Sequence, residues 1–117
     1  MNEYITIKEN RDFTRIYKRG KSYVSPTLVT YIMKNRSNNL RYGITTGKKI
    51  GNAVKRTRAR RVIRASYYQL YSEIKPGYDI IFVARGKTPF VKSQVVYAAM
   101  KKHMKSAGIL TEKQDEL

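Results

Sequence analysis

Sixty consecutive residues of this chain, Phe13 through Ser72, contain no aspartate or glutamate, while the same span holds fifteen lysines and arginines. Like charge at that density opposes compaction unless a partner of opposite sign compensates it. The crowding peaks in GKKIGNAVKRTRARRVIRASYYQLY, residues 47–71, where Lys48, Lys49, Lys55, Arg56, Arg58, Arg60, Arg61 and Arg64 stand with no acid among them. Any fold available to the chain must keep these side chains at a surface. Net charge over the 117 residues is +17, yet 41% of the residues are hydrophobic, too many for a chain that stays disordered. A packed core with one strongly cationic surface is the expectation.

The length suits one domain over residues 1–117, with residues 109–117 expected as a frayed tail. There is no cysteine, so no disulfide or thiolate metal site can form. A lone histidine, His103, lies among lysines and reads as a surface residue; it builds no zinc site by itself. Asp12 and Asp79 are isolated in sequence, so no carboxylate cluster for metal-assisted hydrolysis is legible. No metal ligand and no catalytic residue is assigned to the protein. No apolar run approaches the ~20 residues of a membrane span, and no signal-peptide pattern follows Met1, so no membrane association and a cytoplasmic location are expected.

Periodicity places the elements. Phe13, Ile16 and Tyr17 share one face of a helix over residues 9–19 that Gly20 ends. Residues 27–33, TLVTYIM, follow Pro26 and read as a strand. In residues 40–46, Leu40, Tyr42 and Ile44 alternate with Arg41, Gly43 and Thr45, predicting a second strand antiparallel to the first across the turn cluster KNRSNN. Residues 21–24 add a short strand. Asn52 is placed to cap a helix from Ala53 to about Ile74, stopped by Pro76 and Gly77. YDIIFVAR, residues 78–85, is nearly continuous in apolar residues and suits a strand buried on both faces. Residues 91–108 form a last helix ending at Gly108. The order predicts an α/β fold, a two-layer α+β sandwich of one sheet with helices packed on it.

Projected at about 100° per residue, the long helix has two sides. Ala59, Val62, Ile63, Ser66 and Leu70 form a core-facing stripe, and Arg60, Arg61, Arg64 and Thr57 lie opposite, extended by Tyr68 and Tyr71. A merely solvated face would interleave acids, and here there are none. A membrane-surface helix needs Trp, Phe or Leu opposite its charges, whereas this one offers Ala, Val, Ile and Ser. Nucleic acid fits best, because arginine forks match phosphate oxygens and tyrosines stack on bases. Gly47-Lys48-Lys49-Ile50-Gly51 is not a phosphate loop, since Gly51 is followed by Asn52 instead of Lys and Ser/Thr. For Phe13 and Tyr17, spacing alone favours core packing.

KKIGNAVKRTRARRVIR, residues 48–64, resembles the signature of the bacterial ribonuclease P protein family, and the similarity runs in order from about residue 5 to 106. Asp12-Phe13 followed by Ile16-Tyr17-Lys18 and Gly20 resembles the family's first helix, and residues 78–85 its late strand ending in Ala-Arg. One departure stands out: the family has Asn where this chain has Thr57. The resemblance implies an α-β-β-β-α-β-α fold with a left-handed βαβ crossover, similar to a ribosomal-protein domain. It implies a protein subunit of ribonuclease P that assists an RNA-catalysed, Mg²⁺-dependent cut releasing the 5′ leader of precursor tRNA, the Mg²⁺ being held mainly by the RNA. Lys48, Lys49, Asn52, Lys55, Arg56, Arg58, Arg60, Arg61 and Arg64 then meet the catalytic RNA. Phe13, Tyr17 and Tyr31 match the aromatic lining of a cleft for the single-stranded leader. Partners are that RNA and precursor tRNA, with the protein a monomer before assembly. The alternatives are a ribosomal or general RNA-binding protein without a catalytic complex, and a stand-alone nuclease.

Overall fold

The computed structural model describes residues 4–111. The elements are β1 (Ile5–Thr6), α1 (Asn10–Arg19), β2 (Lys21–Ser25), β3 (Leu28–Lys34), β4 (Arg41–Thr45), α2 (Ala53–Leu70), β5 (Tyr78–Ala84) and α3 (Ser93–Ala107), with short 3₁₀ turns at Lys48–Ile50, Tyr71–Glu73 and Thr88–Phe90. All five strands join one sheet in the order β1-β4-β5-β3-β2. The mixed fold expected from the sequence holds, with one further strand at the start of the chain.

One expectation about pairing fails. β3 and β4 do not form a hairpin: β5 lies between them, antiparallel to β3 and parallel to β4. A parallel pair needs a long crossover, and α2 supplies it between β4 and β5. The central place of β5 explains its composition. Asp79, Ile80, Ile81 and Phe82 are all buried, because helices cover both faces of the sheet there.

Side-chain alternation sorts the two faces. Leu28 and Ile32 of β3, Tyr42 of β4, and Ile80 and Phe82 of β5 join α2 and α3 in the main core. Ile81 of β5, Ile16 of α1 and Ile7, just after β1, form a smaller cluster that Phe13, Tyr31, Met33 and Val83 border. Fully burying each large apolar side chain contributes roughly 1.5–3 kcal/mol, so most of the hydrophobic stabilisation resides on the α2/α3 face.

The helix ends follow the chemistry of their flanks. In α1, Asp12 lies in the first turn and Lys18 and Arg19 in the last, matching the helix dipole. Asn52 caps α2, its side-chain oxygen accepting from the Lys55 N–H at 3.0 Å. The first turn of α2 has no acid and carries Lys55 and Arg56, charges of the wrong sign for that end of the dipole. Gly108 closes α3 in the left-handed region, φ 74°, its N–H bonded to the Lys105 carbonyl at 3.0 Å.

Two smaller expectations are corrected. His103 is not a surface residue: it is 4% exposed and bridges α3 to the sheet, with Nε2 2.7 Å from Ser25 Oγ and Nδ1 2.8 Å from Thr30 Oγ1. Burial lowers its pKa, and Lys102 lowers it further, so the ring is held neutral. Residues 109–111 are not frayed. Ile109 is buried and its carbonyl accepts from the Lys75 N–H at 2.7 Å, and the Thr111 N–H reaches the Glu73 carbonyl at 2.7 Å. The rest of the expected tail, 112–117, lies outside the described residues.

Candidate nucleic-acid interface

The cations of α2 divide into two sets. Arg56, Arg60 and Arg64, spaced four apart, are half-buried along the flank of the helix that leans toward β4 and the turn after it. Arg56 Nη1 donates to the Gly51 carbonyl at 2.6 Å, and Arg60 Nη2 to Thr46 Oγ1 at 2.5 Å. Arg64 lies beside the Tyr42 hydroxyl. Arg58 and Arg61 point outward on another side, Arg58 Nε donating to the Pro89 carbonyl at 2.7 Å. The ridge is therefore not simply opposite the core, as the projection suggested, but wraps from the sheet edge around the outside.

The reason is Tyr67. An even projection puts it among the arginines, but it is fully buried, stacked on Tyr42 at 4.3 Å and edge-on to Phe82 at 5.5 Å. The core-facing stripe thus widens toward the end of α2 and draws the flanking arginines down onto β4. Burial pushes the Tyr67 hydroxyl far up, and no hydrogen-bond partner reaches it among the described residues. Burial, then a hydrogen bond shared with Tyr68 at 3.0 Å, raises Tyr42 to about 12.

Lys48 and Lys49 sit exposed on the 3₁₀ turn before α2, while Ile50 of that turn is buried and anchors it. Asn52 and Lys55 are exposed at the helix start, and Thr57 is exposed on the outer side. No described carboxylate pairs with any cation of α2: the ion pairs among the described residues use only Glu9, Asp12 and Asp79. A cationic helix with no carboxylate partner among the described residues has the chemistry to meet a polyanion.

On the opposite face of the sheet the three cleft residues come together. Phe13 and Tyr17, one turn apart on α1, have ring centroids 6.3 Å apart, and Tyr17 meets Tyr31 of β3 edge-on at 4.9 Å. Phe13 lies over Gly43, where a Cβ would stand 2.8 Å from the ring. That close approach requires glycine in the polar half of the β4 alternation. Phe13 and Tyr31 are half-buried, and Tyr17 is 39% exposed, more than a core residue would be. Val29 and Val83, register partners two residues on from Tyr31 and Ile81, are also only half-buried, so this face is incompletely covered.

Beside the aromatics lies an ion network that sequence alone does not reveal, because its members are up to 67 positions apart. Asp79, 1% exposed, accepts from Arg41 Nε at 2.9 Å and Nη2 at 2.6 Å, from Asn35 Nδ2 at 2.9 Å, and from Arg15 Nη2 at 3.3 Å. Arg15 also holds Asp12 at 2.7 Å. Burial would raise the Asp79 pKa, but the hydrogen bonds from Arg41 and Asn35 prevail and lower it. Both carboxylates are occupied by guanidinium groups, so this donor set does not fit a protein-held divalent cation. No group of three or more His, Cys, Asp or Glu placed to hold a metal occurs among the described residues. Arg15, Arg19, Lys34, Arg36 and Arg41 line a cavity of about 540 Å³ around Asp79, extending the cleft with positive charge. No helix among the described residues is long and apolar enough to cross a membrane.

A mixed α/β sheet with an arginine helix on one face and an aromatic, cation-rimmed cleft on the other defines a small protein built to face a polyanion. Comparison with known proteins makes the class specific. Residues 1–108 match the family model of ribonuclease P. The ribonuclease P protein component of Clostridium botulinum (strain Loch Maree / Type A3) is 40% identical over 104 residues, 88% of this chain and 94% of the relative. That of Clostridioides difficile (strain 630) is 48% identical over 80 residues, 68% of this chain and 70% of the relative. The solved RNase P protein of Staphylococcus aureus superposes with a TM-score of 0.82 at 33% identity, covering 93% of this chain and all of that one. The protein from Thermotoga maritima gives 0.77 at 28%, covering 90% and 97%. The chain belongs to the ribonuclease P protein family: it is the protein component of the bacterial endonuclease, a ribonucleoprotein whose other partner is RNA.

Proposed function

We propose that the two faces divide the work of the holoenzyme. The α2 ridge and its approach (Lys48, Lys49, Asn52, Lys55, Arg56, Arg58, Arg60, Arg61 and Arg64) bind the catalytic RNA. Phe13, Tyr17 and Tyr31 hold the single-stranded 5′ leader of precursor tRNA. The RNA, with Mg²⁺ bound mainly to it, hydrolyses the phosphodiester, while the protein positions the leader and screens the repulsion between two RNA strands. The protein enters assembly as a monomer and works in the cytoplasm.

The observation that carries this reading is the partition itself: guanidinium groups without carboxylate partners among the described residues on one face, and partly exposed aromatic rings beside cations on the other. Stacking contributes roughly 1–3 kcal/mol per base and accepts any base, as a leader of variable sequence requires. The carboxylates that could have served a protein nuclease are engaged by Arg15 and Arg41, which disfavours a stand-alone enzyme. The test is cleavage of precursor tRNA by the cognate RNA at low Mg²⁺, with and without the protein. Stimulation is expected, with Arg60→Ala and Arg64→Ala weakening RNA-subunit binding; no stimulation would sink the proposal. Binding should fall with salt at a log–log slope of about −0.7 to −0.9 per phosphate neutralised.

A further inference from the structure

The 3₁₀ turn Thr88–Phe90 belongs to neither face as described so far. It displays Phe90, whose side chain is 66% exposed, on a mount that is otherwise buried. Thr88 is fully buried, its hydroxyl donating to the Thr27 carbonyl at 2.7 Å and accepting from the Arg85 N–H at 2.8 Å. Pro89 is buried, and its carbonyl is held by Arg58 of α2. The Phe90 N–H closes the turn onto the Lys87 carbonyl at 3.0 Å. An exposed phenylalanine on a flexible loop needs no explanation; one on a turn fixed by four hydrogen bonds is preorganised for contact.

Its surroundings are cationic. The Lys55 ammonium lies over the ring, 5.1 Å from its centroid, Arg58 holds the Pro89 carbonyl of the turn, and Lys87 and Lys92 flank the turn in sequence. Val54, on the same first turn of α2 as Lys55, is 76% exposed. No carboxylate occurs between Ile80 and Thr111, or anywhere on α2, so nothing on these elements offsets the charge. A second copy of a +17 chain brings like charge to this patch, and an apolar peptide leaves the cations unmatched. An unpaired nucleobase with its phosphates satisfies both: a flat π surface for the ring and anionic oxygens for the lysines and arginine around it.

We propose that Phe90 is a stacking platform for an unpaired base of the catalytic RNA, flanked by Lys55 and Arg58 as phosphate contacts. This extends the RNA footprint from the α2 ridge onto the Thr88–Phe90 turn, and it rests on the ridge being the RNA-subunit face.

The chain contains no tryptophan, so Phe90→Trp supplies a unique fluorophore at the site. Binding of the RNA-subunit transcript would be measured for wild type, Phe90→Ala, Phe90→Trp and Arg60→Ala across a salt series. Phe90→Ala is expected to weaken binding by about 5- to 100-fold with an unchanged salt slope, since the lost contact is not ionic. Phe90→Trp should bind within about threefold of wild type, with its emission quenched by RNA through stacking. Arg60→Ala should lower the salt slope by about one phosphate. If Phe90→Ala binds as tightly as wild type while Arg60→Ala is weakened, the platform is wrong and the ridge stands. If the wild type does not bind the RNA subunit, both fall. Sedimentation of the free protein covers the other occupant: self-association abolished by Phe90→Ala, with RNA affinity intact, makes the patch a contact between copies and overturns the proposal.

Discussion

The two faces of the sheet are built from the same strands and do opposite things. Toward α2 and α3, β3 and β5 present Leu28, Ile32, Ile80 and Phe82, all buried in one large cluster. Toward α1, the same strands present Tyr31, Met33, Asp79, Ile81 and Val83, of which several stay half-exposed and one is a carboxylate. One face has spent its apolar surface on stability. The other keeps rings and charge accessible, positioned by an ion network in place of a thick core. Residues one position apart on β5 therefore belong to different problems, and substitutions can separate them.

The largest effect is expected on the sealed face. Phe82→Ala removes a fully buried ring packed on Tyr67 and should cost about 3–5 kcal/mol in urea unfolding. Such a loss approaches the whole stability of many small domains. If Phe82→Ala unfolds no more easily than wild type, the contrast between the faces collapses.

Next comes the network under the cleft. Asp79→Asn leaves Arg41 and Arg15 with Asp12 as their one remaining carboxylate among the described residues and should cost about 2–3 kcal/mol, less than a wholly buried pair because both arginines are partly exposed. The sign with pH follows from a lowered carboxylate pKa: the stabilisation is present above about pH 3.9 and is lost as acid protonates Asp79 in the folded state. Thermal melts of wild type and variant should thus converge in strong acid.

Tyr17→Ala sharpens the comparison from the other direction. At 39% exposure the ring contributes little to folding, so the melting temperature should move by only a few degrees. Affinity for leader-bearing precursor tRNA should drop about 5- to 100-fold, with mature tRNA binding nearly unchanged. Equal losses for both ligands would count against the cleft.

The smallest effect is a proton. His103 is neutral because burial and Lys102 depress its pKa, so the unfolded chain takes up a proton first as pH falls through about 6.5. Stability should decline as pH falls from about 7.5 to about 5. His103→Gln, weaker at neutral pH, should show a flatter profile.

Much of this was legible in the residues. The Asn52 cap, the Gly20 and Gly108 stops and the doubly buried β5 are local signals, carried by side chains within a few positions of the feature. The cationic surface follows from acids that are missing over sixty positions. What stayed hidden is long-range. The alternation in residues 40–46 marks a strand but not its neighbour, and a short turn cluster argues for a hairpin that β5 in fact interrupts. Nothing near His103 announces Ser25 and Thr30, over seventy positions away. Tyr67 sits at the angle of an arginine and is buried only because Tyr42 and Phe82 wait beneath it.

The central position of β5 has a further consequence for how the molecule comes into being. β3 and β4 acquire their common neighbour only once the chain has run through Ala84, so the sheet cannot close as it emerges. Pairings of such sequence separation are slow to form, because loop closure precedes any return from contact. Until then the arginine helix is a local element in an open loop, without the β5 surface that its apolar stripe packs on.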